Sequence, residues 1–334
     1  MGFLHAELSR DGPGLMLRDV VAGDDPQILA LVRVVRAVQP DVLVLAGVDW
    51  DLAAHGVAAV ADAIGGYPHR FTARPNRGVA SGLDLNGDGR VGGPEDDFGF
   101  AEYPGQDGLA VLSKLPLAVD HLLDFSELEW SVFPGGLGPP AGHTGGRLST
   151  TAHWDLPVIL PDGTEISLLI WHATPPVFDG PEDRNGRRNH DEAAFWSAYL
   201  DGHVGPPPGH FVLMGAANLD VLDGDGRPKA LRALLSDRRV QDVAPRSAGG
   251  EMAAARDGGA NVGQLADPAL DTVDWPDGDG WPGNLRVDYV LPSANMRVLG
   301  SGVYWPDPDT SLGRDAERAS RHRLVWVDIA PDAD

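Results

Sequence analysis

The sequence predicts a single α/β domain over residues 1–334, because strand-like and helical patterns alternate along the chain without a linker between them. The chain has 334 residues, of which 43% are hydrophobic, which is enough apolar material for a large core. Two early segments show both patterns. An amphipathic helical period over 26–38 precedes an apolar run over 41–48, which is typical of a strand buried on both faces.

The first elements are bounded by capping signals. Asp25 is a suitable N-cap and Pro26 a suitable first residue for a helix that stops before Pro40. After the buried strand, a second helical pattern covers 52–64 and ends at a pair of glycines. These signals predict a helix, a strand and a second helix in that order.

The later elements are predicted from the same signals. Asn189 is predicted to begin a helix with Glu192 as its capping-box partner, and a short helix is predicted over 229–235. The segment 245–283 is rich in Gly, Asp and Ala and is predicted to be an extended loop. Further strands are predicted over 108–113, 148–153, 165–172, 211–214, 286–291, 296–303 and 323–329.

Composition excludes several kinds of protein and site. Acidic residues outnumber basic ones, 49 to 26, and the net charge of -23 opposes binding to duplex DNA. The absence of cysteine excludes disulfides, zinc thiolates and thiol nucleophiles. No apolar run has the length of a membrane span, and residues 1–10 lack the features of a secretory signal. We therefore expect a cytoplasmic protein, unless a leader has been removed.

The strongest local motif is the loop over 84–95, which matches D-x-[DN]-x-[DN]-G-x5-E at each specified position. Its oxygen donors would be the side chains of Asp84, Asn86, Asp88 and Glu95 and the carbonyl of Arg90. The flanking segments do not have a helical pattern, so the loop is EF-hand-like without being an EF-hand. We expect a structural Ca²⁺ site here, and the alternative is an acidic, glycine-rich turn.

Four ordered segments resemble the endonuclease/exonuclease/phosphatase family, which has the DNase I-like fold. They are QPDVLVL at 39–45, GLAVLSK at 108–114, NLRVDYVLPS at 284–293 and ASRHRLVWVDI at 319–329. The segment WHATPPVFDGPEDRNGRRNH at 171–190 is similar to a bacterial branch that carries the calcium-type loop and is often exported. The resemblance implies a four-layer sandwich, with two mixed β-sheets packed face to face and helices outside. It also implies phosphoester hydrolysis assisted by a divalent metal.

The residues that match the family's active site are mostly neutral or imidazole side chains. His172 matches a histidine at a strand end, and Asn218 matches the asparagine of an Asp-x-Asn pair. His322 matches the C-terminal histidine, and Asp288 matches the aspartate that orients it. The asparagine of the family's first strand falls on His5.

The family's metal-binding carboxylates are missing. The position of the metal-holding glutamate falls on Gly47, and the positions of two aspartates fall on Ala216 and Arg321. Mg²⁺ and Mn²⁺ require carboxylate oxygens, and the Arg321 charge opposes a cation. The sequence therefore predicts that neither ion is well bound at this site.

Arg184, Arg187 and Arg188 form a basic group in an acidic chain. One interpretation is that they bind phosphate. The other is that they pair with nearby acidic residues, namely Glu182, Asp183 and Asp191.

Three functions remain open from the sequence. The first is an inactive or weakened homologue that retains binding of a small phosphorylated ligand around His172, Asn218, Arg321 and His322. The second is an active phosphoesterase whose metal ligands have moved to Asp49, Asp51 or Asp220. The third is a calcium-stabilised structural or binding protein. Fold alone does not decide among them, and no pattern predicts the oligomeric state.

Overall fold

The computed structural model describes residues 1–143 and 145–330. Within these residues the strands are β1 (Gly2–His5), β2 (Val42–Val48), β3 (His69–Phe71), β4 (Gly108–Ser113), β5 (Leu123–Asp124), β6 (His153–Ile159), β7 (Glu165–His172), β8 (Phe211–Ala216), β9 (Val273–Asp274), β10 (Asn284–Leu285), β11 (Asp288–Pro292), β12 (Arg297–Tyr304) and β13 (Leu324–Ala330). The α-helices are α1 (Leu15–Ala22), α2 (Pro26–Val38), α3 (His55–Ile64), α4 (Arg184–Leu200), α5 (Lys229–Leu235), α6 (Ala248–Asp257) and α7 (Ser311–Ala319).

The strands form two large mixed sheets and one short ribbon. The first sheet has the order β12-β13-β1-β2-β4-β3, and the second has the order β11-β8-β7-β6-β5. In each large sheet one neighbouring pair is parallel, β1 with β2 and β7 with β8, and the other pairs are antiparallel. β9 and β10 pair separately. The two parallel pairs, one in each large sheet, contribute β1, β2, β7 and β8.

The inner faces of the two sheets pack against each other. Phe3, Val44 and Val111 of the first sheet share one buried cluster with Leu168 and Met214 of the second. Successive strand residues point to opposite faces, so the alternate residues of β2 lie on the outer face. There Leu43 and Leu45 join a second cluster with apolar residues of α1, α2 and α3.

The outer face of the second sheet is covered by α4 and α5. Leu169, Trp171 and Leu213 pack with Phe195 and Leu231 in a third buried cluster. The layers are therefore helices, sheet, sheet and helices, as the family resemblance implied. The predicted fold class, a DNase I-like α/β sandwich, is confirmed.

The best-predicted elements are those with complete local signals. α2 begins at Pro26, and the Asp25 carboxylate accepts a hydrogen bond of 2.9 Å from the Ile28 backbone N–H. The bounds of β4, β7 and α5 are the predicted ones. No helix among the described residues is both long and apolar enough to cross a membrane.

Three predictions of secondary structure are wrong. The strand predicted over 148–153 begins only at His153. The helix predicted to begin at Asn189 begins at Arg184, and the segment 245–283 contains α6, two short 3₁₀ turns and β9.

The error at Asn189 has a tertiary cause. Its buried side-chain amide donates to the carbonyls of Thr174 and Ala217 instead of capping a helix. The Glu192 carboxylate accepts from the backbone N–H groups of Thr150 and Thr174, at 2.6 and 2.7 Å. Both residues join loops to α4, and a local capping rule does not detect such contacts.

Candidate functional site

Three family-matched positions lie in one row across the second sheet. His172, at the end of β7, is paired with Ala216 of β8, and Ala216 is paired with Asp288 of β11. His322 lies two residues before the start of β13 of the first sheet and forms a bridge with Val273. The site therefore lies where the two sheets meet at their strand ends.

His322 and Asp288 form a buried pair. The His322 Nδ1 atom lies 2.7 Å from Asp288 Oδ2, and the two side chains are 2% and 0% exposed. The backbone N–H of His322 donates to Ser320 Oγ at 3.0 Å, which fixes the residue before the strand. Because the carboxylate holds Nδ1, Nε2 of His322 is the nitrogen left for proton transfer or ligand contact.

A third histidine stands between these two. The ring centroid of His5 is 4.3 Å from that of His322 and 4.7 Å from that of His172. His5 is the last residue of β1, so the first sheet supplies it directly to the row formed by the second sheet. The sequence placed His5 at the family's asparagine position, and the structure brings it together with both matched histidines.

Asp107 completes this group, and sequence reasoning missed it. Asp107 immediately precedes β4, and its Oδ1 atom lies 3.6 Å from His5 Nε2. One ligand-type atom from each of His5, Asp107 and His172 lies within 4.8 Å of the others. Arg77 Nη2 contacts Asp107 Oδ2 at 3.1 Å and orients the carboxylate. The signal available in the sequence was the position of Asp107 at the start of the recognised GLAVLSK strand.

The charges in this group follow from burial and mutual contact. Burial alone would raise the pKa of Asp107, but Arg77 and His5 outweigh it and hold the pKa well below its usual range. Burial lowers the pKa of His172 well below its ordinary value. Burial would also lower the pKa of His5, but the contact with Asp107 outweighs it and raises that pKa. At neutral pH the group therefore contains a carboxylate and a neutral His172 imidazole.

The position of the missing glutamate cannot hold a side chain without rearrangement. Gly47 lies at a register shift between β2 and β4 with φ of 72°, a backbone conformation that L side chains rarely adopt. A Cβ atom added there would lie 2.7 Å from His5 Cδ2 and 2.8 Å from the Glu7 backbone nitrogen. The His5 imidazole thus occupies the space next to Gly47.

Arg321 is held by Glu7. The Arg321 Nε atom donates to Glu7 Oε1 at 2.8 Å, and its backbone N–H donates to Glu7 Oε2 at 2.8 Å. Burial would raise the pKa of Glu7, but the hydrogen bond from Arg321 and the nearby histidines lower it to about 2. The positive charge at position 321 is therefore balanced locally.

The carboxylates proposed as substitute ligands are already engaged. Asp49 accepts hydrogen bonds from Ser9 Oγ and the Tyr103 hydroxyl, at 2.5 and 2.7 Å. Asp51 accepts from three backbone N–H groups at the start of α3. Asp220 accepts from the backbone N–H groups of residues 222, 223 and 286. Each carboxylate shapes a loop, and none belongs to the metal-type group found among the described residues.

The residues present do not fit the oxygen-rich Mg²⁺ or Mn²⁺ site of the family. Such ions take several oxygen ligands, whereas the candidate group offers two imidazoles and one carboxylate. Asn218 has a positive φ of 52°, and its amide donates to the Ala173 carbonyl at 2.7 Å. That bond ties the amide nitrogen to the neighbouring strand end.

The three arginines of the basic group have separate roles. Arg188 is 3% exposed and donates to the backbone carbonyls of residues 98, 147, 148 and 149. Arg187 donates to the carbonyls of residues 137 and 138. Arg184 lies over the ring of Trp130, 5.8 Å from its centroid. No ion pair joins them to Glu182, Asp183 or Asp191 in the part of the chain described, so Arg187 and Arg188 mainly support loop packing.

The calcium-type loop is folded by its own side chains. Asp84 accepts hydrogen bonds from the N–H groups of Gly87 and Gly89, at 2.7 and 2.9 Å. Asn86 and Asp88 each accept from the N–H two residues later. Asp96, which is buried, accepts from residues 85, 86 and 92 and so holds the two ends of the loop together. The carboxylates at positions 84, 88 and 95 retain further oxygen lone pairs.

Comparison with known proteins agrees with this architecture. The model of the endonuclease/exonuclease/phosphatase family matches residues 15–322. No curated protein matches the chain significantly.

Solved structures extend the agreement to the whole fold. An endonuclease/exonuclease/phosphatase from Beutenbergia cavernae DSM 12333 has 19% identity and a TM-score of 0.56, over 98% of this chain and 70% of that one. A family protein from Leptotrichia buccalis C-1013-b has 14% identity and a TM-score of 0.52, over 98% of both chains. One from Bacteroides thetaiotaomicron has 13% identity and a TM-score of 0.52, over 99% of this chain and 97% of that one. These structures share the fold, and the family match spans most of the sequence; the chain belongs to the endonuclease/exonuclease/phosphatase family.

Proposed function

We propose that this chain is a family member that has lost Mg²⁺- or Mn²⁺-dependent phosphoester hydrolysis. The main observation behind the proposal concerns the position where the family resemblance places the metal-holding glutamate. Gly47 has no side chain, and the His5 ring fills the space that one would need. Ala216 and the Glu7-bound Arg321 supply no oxygen ligand at the two aspartate positions.

The buried His322–Asp288 pair does not replace the metal. General acid–base catalysis contributes roughly 10²–10⁴-fold, which corresponds to about 3–5 kcal/mol of barrier. The slowest phosphate monoesters need up to about 10²¹-fold acceleration, or roughly 28 kcal/mol. The His322–Asp288 pair without a metal therefore leaves most of the required acceleration unmet.

The cleft is better suited to binding a small phosphorylated ligand than to cleaving one. His172 and His322 each retain a ring nitrogen that makes no hydrogen bond in the described chain, and Arg321 is half-exposed at the edge. Asn218 contributes its side-chain oxygen, since its amide nitrogen is bonded to Ala173. The net charge of -23 argues against duplex DNA as the ligand.

A second candidate is an active phosphoesterase with different metal ligands. The specific observation in its favour is the group of His5, Asp107 and His172 beside the His322–Asp288 pair. Such an enzyme would use a metal that accepts imidazole ligands.

We also propose that the loop over 84–95 binds Ca²⁺ as a structural ion. Its motif supplies four side-chain oxygen donors and one carbonyl, and the internal hydrogen bonds already give the loop a turn around its centre. A calcium-stabilised binding protein is thus compatible with the loss of hydrolysis.

The test is hydrolysis of bis-p-nitrophenyl phosphate and nicking of supercoiled plasmid by pure protein with Mg²⁺ or Mn²⁺. We expect rates at background that are unchanged in His172→Ala, because no metal-assisted reaction depends on this imidazole. Robust turnover with either ion that His172→Ala abolishes would contradict the proposal. The same assay with Zn²⁺ or Co²⁺ tests the second candidate.

Ligand binding is tested by isothermal titration with inorganic phosphate. We expect weak binding that His322→Gln reduces and that the exposed-site variant His121→Gln leaves unchanged. Phosphate binding equal in all three proteins would place the anion outside the cleft.

A further inference from the structure

Three ligand-type side chains converge at one point from distant parts of the sequence. His5 ends β1 and Asp107 precedes β4, on either side of Gly47 in β2. His172 ends β7 in the opposite sheet. The absence of a side chain at Gly47 leaves room for the His5 ring to turn into this space.

The two imidazoles have an unusual lack of partners. Within the described chain neither the His5 nor the His172 side chain makes a hydrogen bond, and Nδ1 of each is buried without a partner. The His5–Asp107 separation of 3.6 Å is longer than a hydrogen bond. His172 is 1% exposed, and buried polar groups normally have a partner. The His5 nitrogen nearest Asp107 is Nε2, which also makes no hydrogen bond in the described chain, so this atom is free to bind a ligand on the Asp107 side.

Two imidazole nitrogens and one carboxylate oxygen are a characteristic donor set for transition metals. Zn²⁺ binds histidine nitrogen and carboxylate oxygen at about 2.0–2.2 Å, so its ligand atoms lie roughly 3.3–3.5 Å apart in a tetrahedron. The observed separations, 3.6 Å for one pair and at most 4.8 Å overall, need only small side-chain rotations to reach this spacing. Mg²⁺ and Ca²⁺ select oxygen ligands and do not suit the set.

The surroundings supply support for such an ion. Arg77 holds Asp107 through Oδ2, at 3.1 Å, which leaves Oδ1 on the His5 side. Hydrogen-bonded carboxylates of this kind are common around metal ligands. The His322 ring lies 4.3 Å from the His5 ring and is oriented by Asp288, so a third imidazole adjoins the group.

We infer that His5, Asp107 and His172 bind a first-row transition metal ion of the Zn²⁺ class, with an open fourth position beside His322. This set differs from the oxygen ligands that the family resemblance implies. Two of its members, His5 and Asp107, do not stand at positions where the resemblance places a carboxylate ligand. The metal gives Nε2 of His5, which makes no hydrogen bond in the described chain, a partner next to Asp107 Oδ1. The inference is about binding and holds whether or not the site hydrolyses phosphoesters.

The experiment is titration of the full chain with Co²⁺, followed by visible absorption, in millimolar Ca²⁺ to saturate the loop over 84–95. Co²⁺ occupies Zn²⁺ sites, and its visible bands are intense in four- or five-coordinate nitrogen and oxygen surroundings. We expect one ion per chain with such bands, displaced by one equivalent of Zn²⁺. Binding without these bands, or no binding, would overturn the inference.

Variants locate the ion. His5→Ala, His172→Ala and Asp107→Asn should each weaken Co²⁺ binding by about 100-fold or more, since even an outer partner of a metal ligand contributes roughly 10–100-fold. Asp107→Asn preserves the side-chain shape and is expected to fold, so it still tests the site if an alanine variant is unstable. His121→Ala, at an exposed histidine paired with Glu165, is the matched control and should bind normally. Affinity retained in all three site variants, or lost equally in His121→Ala, would refute the assignment.

Discussion

The cleft and the loop over 84–95 are two metal-type regions that differ in donors and in construction. In the loop the donors are oxygens, and Asp84, Asn86 and Asp88 each accept from an N–H two to five residues away. In the cleft the donors are two imidazoles and one carboxylate, from positions 5, 107 and 172. The loop is defined by one continuous segment, whereas the cleft is defined by the register of two sheets.

Under the proposed function, the site has changed its chemistry while the fold persists. The strand ends where the family resemblance places carboxylates converge in this chain, but His5 occupies the space beside Gly47, and Arg321 is bound by Glu7. Among the described residues, the oxygen donors that we propose for Ca²⁺ lie in the loop. Ions that accept imidazole have a donor group only in the cleft, within the same part of the chain.

The largest effect is expected from Gly47→Glu, which restores the family's carboxylate. Overpacking costs about 1–3 kcal/mol and a positive φ about 1–2 kcal/mol, so the free energy of unfolding should fall by about 2–5 kcal/mol. Gly66→Glu is the control, because Gly66 also has a positive φ, 85°, but has open space around its Cβ position. Gly66→Glu should lower the free energy of unfolding only by the cost of the positive φ, about 1–2 kcal/mol. Urea unfolding of both variants gives the comparison.

A double variant sharpens this result. Removing the ring in His5→Ala should recover the part of the Gly47→Glu loss that the ring causes, while the contact with the Glu7 backbone nitrogen remains. The two changes together should therefore cost less than their sum. Additive losses would show that the His5 ring does not exclude a side chain at position 47.

The next effect concerns Asp271, a buried carboxyl close to Asp220, Asp223 and Asp267. Burial and these neighbours raise its pKa from 3.8 to about 8. Its stabilising contribution is therefore fully present below pH 3.8 and is lost as pH rises toward and through 8. Relative to Asp271→Asn, the wild type should lose roughly 1 kcal/mol of unfolding free energy per pH unit between pH 5 and 8.

Urea unfolding at several pH values checks this, with Asp24→Asn at an exposed site as the control. A parallel pH dependence in wild type and Asp271→Asn would mean that Asp271 is ionised and paired, as a bound cation would make it. That outcome would break the comparison, because it would place a third metal site, built from oxygen ligands, near the cleft.

A smaller effect is expected from calcium. If the loop binds Ca²⁺, an ion concentration of 100 times Kd stabilises the folded state by about 2.7 kcal/mol. For a chain of 334 residues this corresponds to a rise of about 4 °C in Tm. Differential scanning calorimetry measures it, and Asp88→Ala should remove the shift while His172→Ala keeps it. An equal Tm in EDTA and in Ca²⁺ would reject a calcium site.

The sequence predicted the elements and residues whose signals are local or shared with the family. The Asp25 cap of α2, the limits of β4 and β7, and the paired His322 and Asp288 all follow from such signals. The layer order followed from the family resemblance. These features depend on neighbouring residues or on an aligned motif.

The remaining features required the folded chain. Asp107 lies near His5 only because β1 and β4 both pair with β2. Arg188 was interpreted from the sequence as a phosphate ligand or a partner of acidic residues, yet in the folded chain it donates to four backbone carbonyls. Likewise the charge of Arg321 is matched by Glu7, 314 positions away. Contacts of this range have no local pattern in the sequence.

The central claim is that the cleft has exchanged an oxygen-ligand site for an imidazole one. Anomalous difference maps from crystals grown in Ca²⁺ and soaked separately in Zn²⁺ and Mn²⁺ test it most directly. The account predicts a Zn²⁺ peak about 2.0–2.2 Å from donor atoms of His5, Asp107 and His172, and no Mn²⁺ peak in the cleft. A Mn²⁺ peak between His172, Asn218 and His322, or a cleft without Zn²⁺, would contradict it.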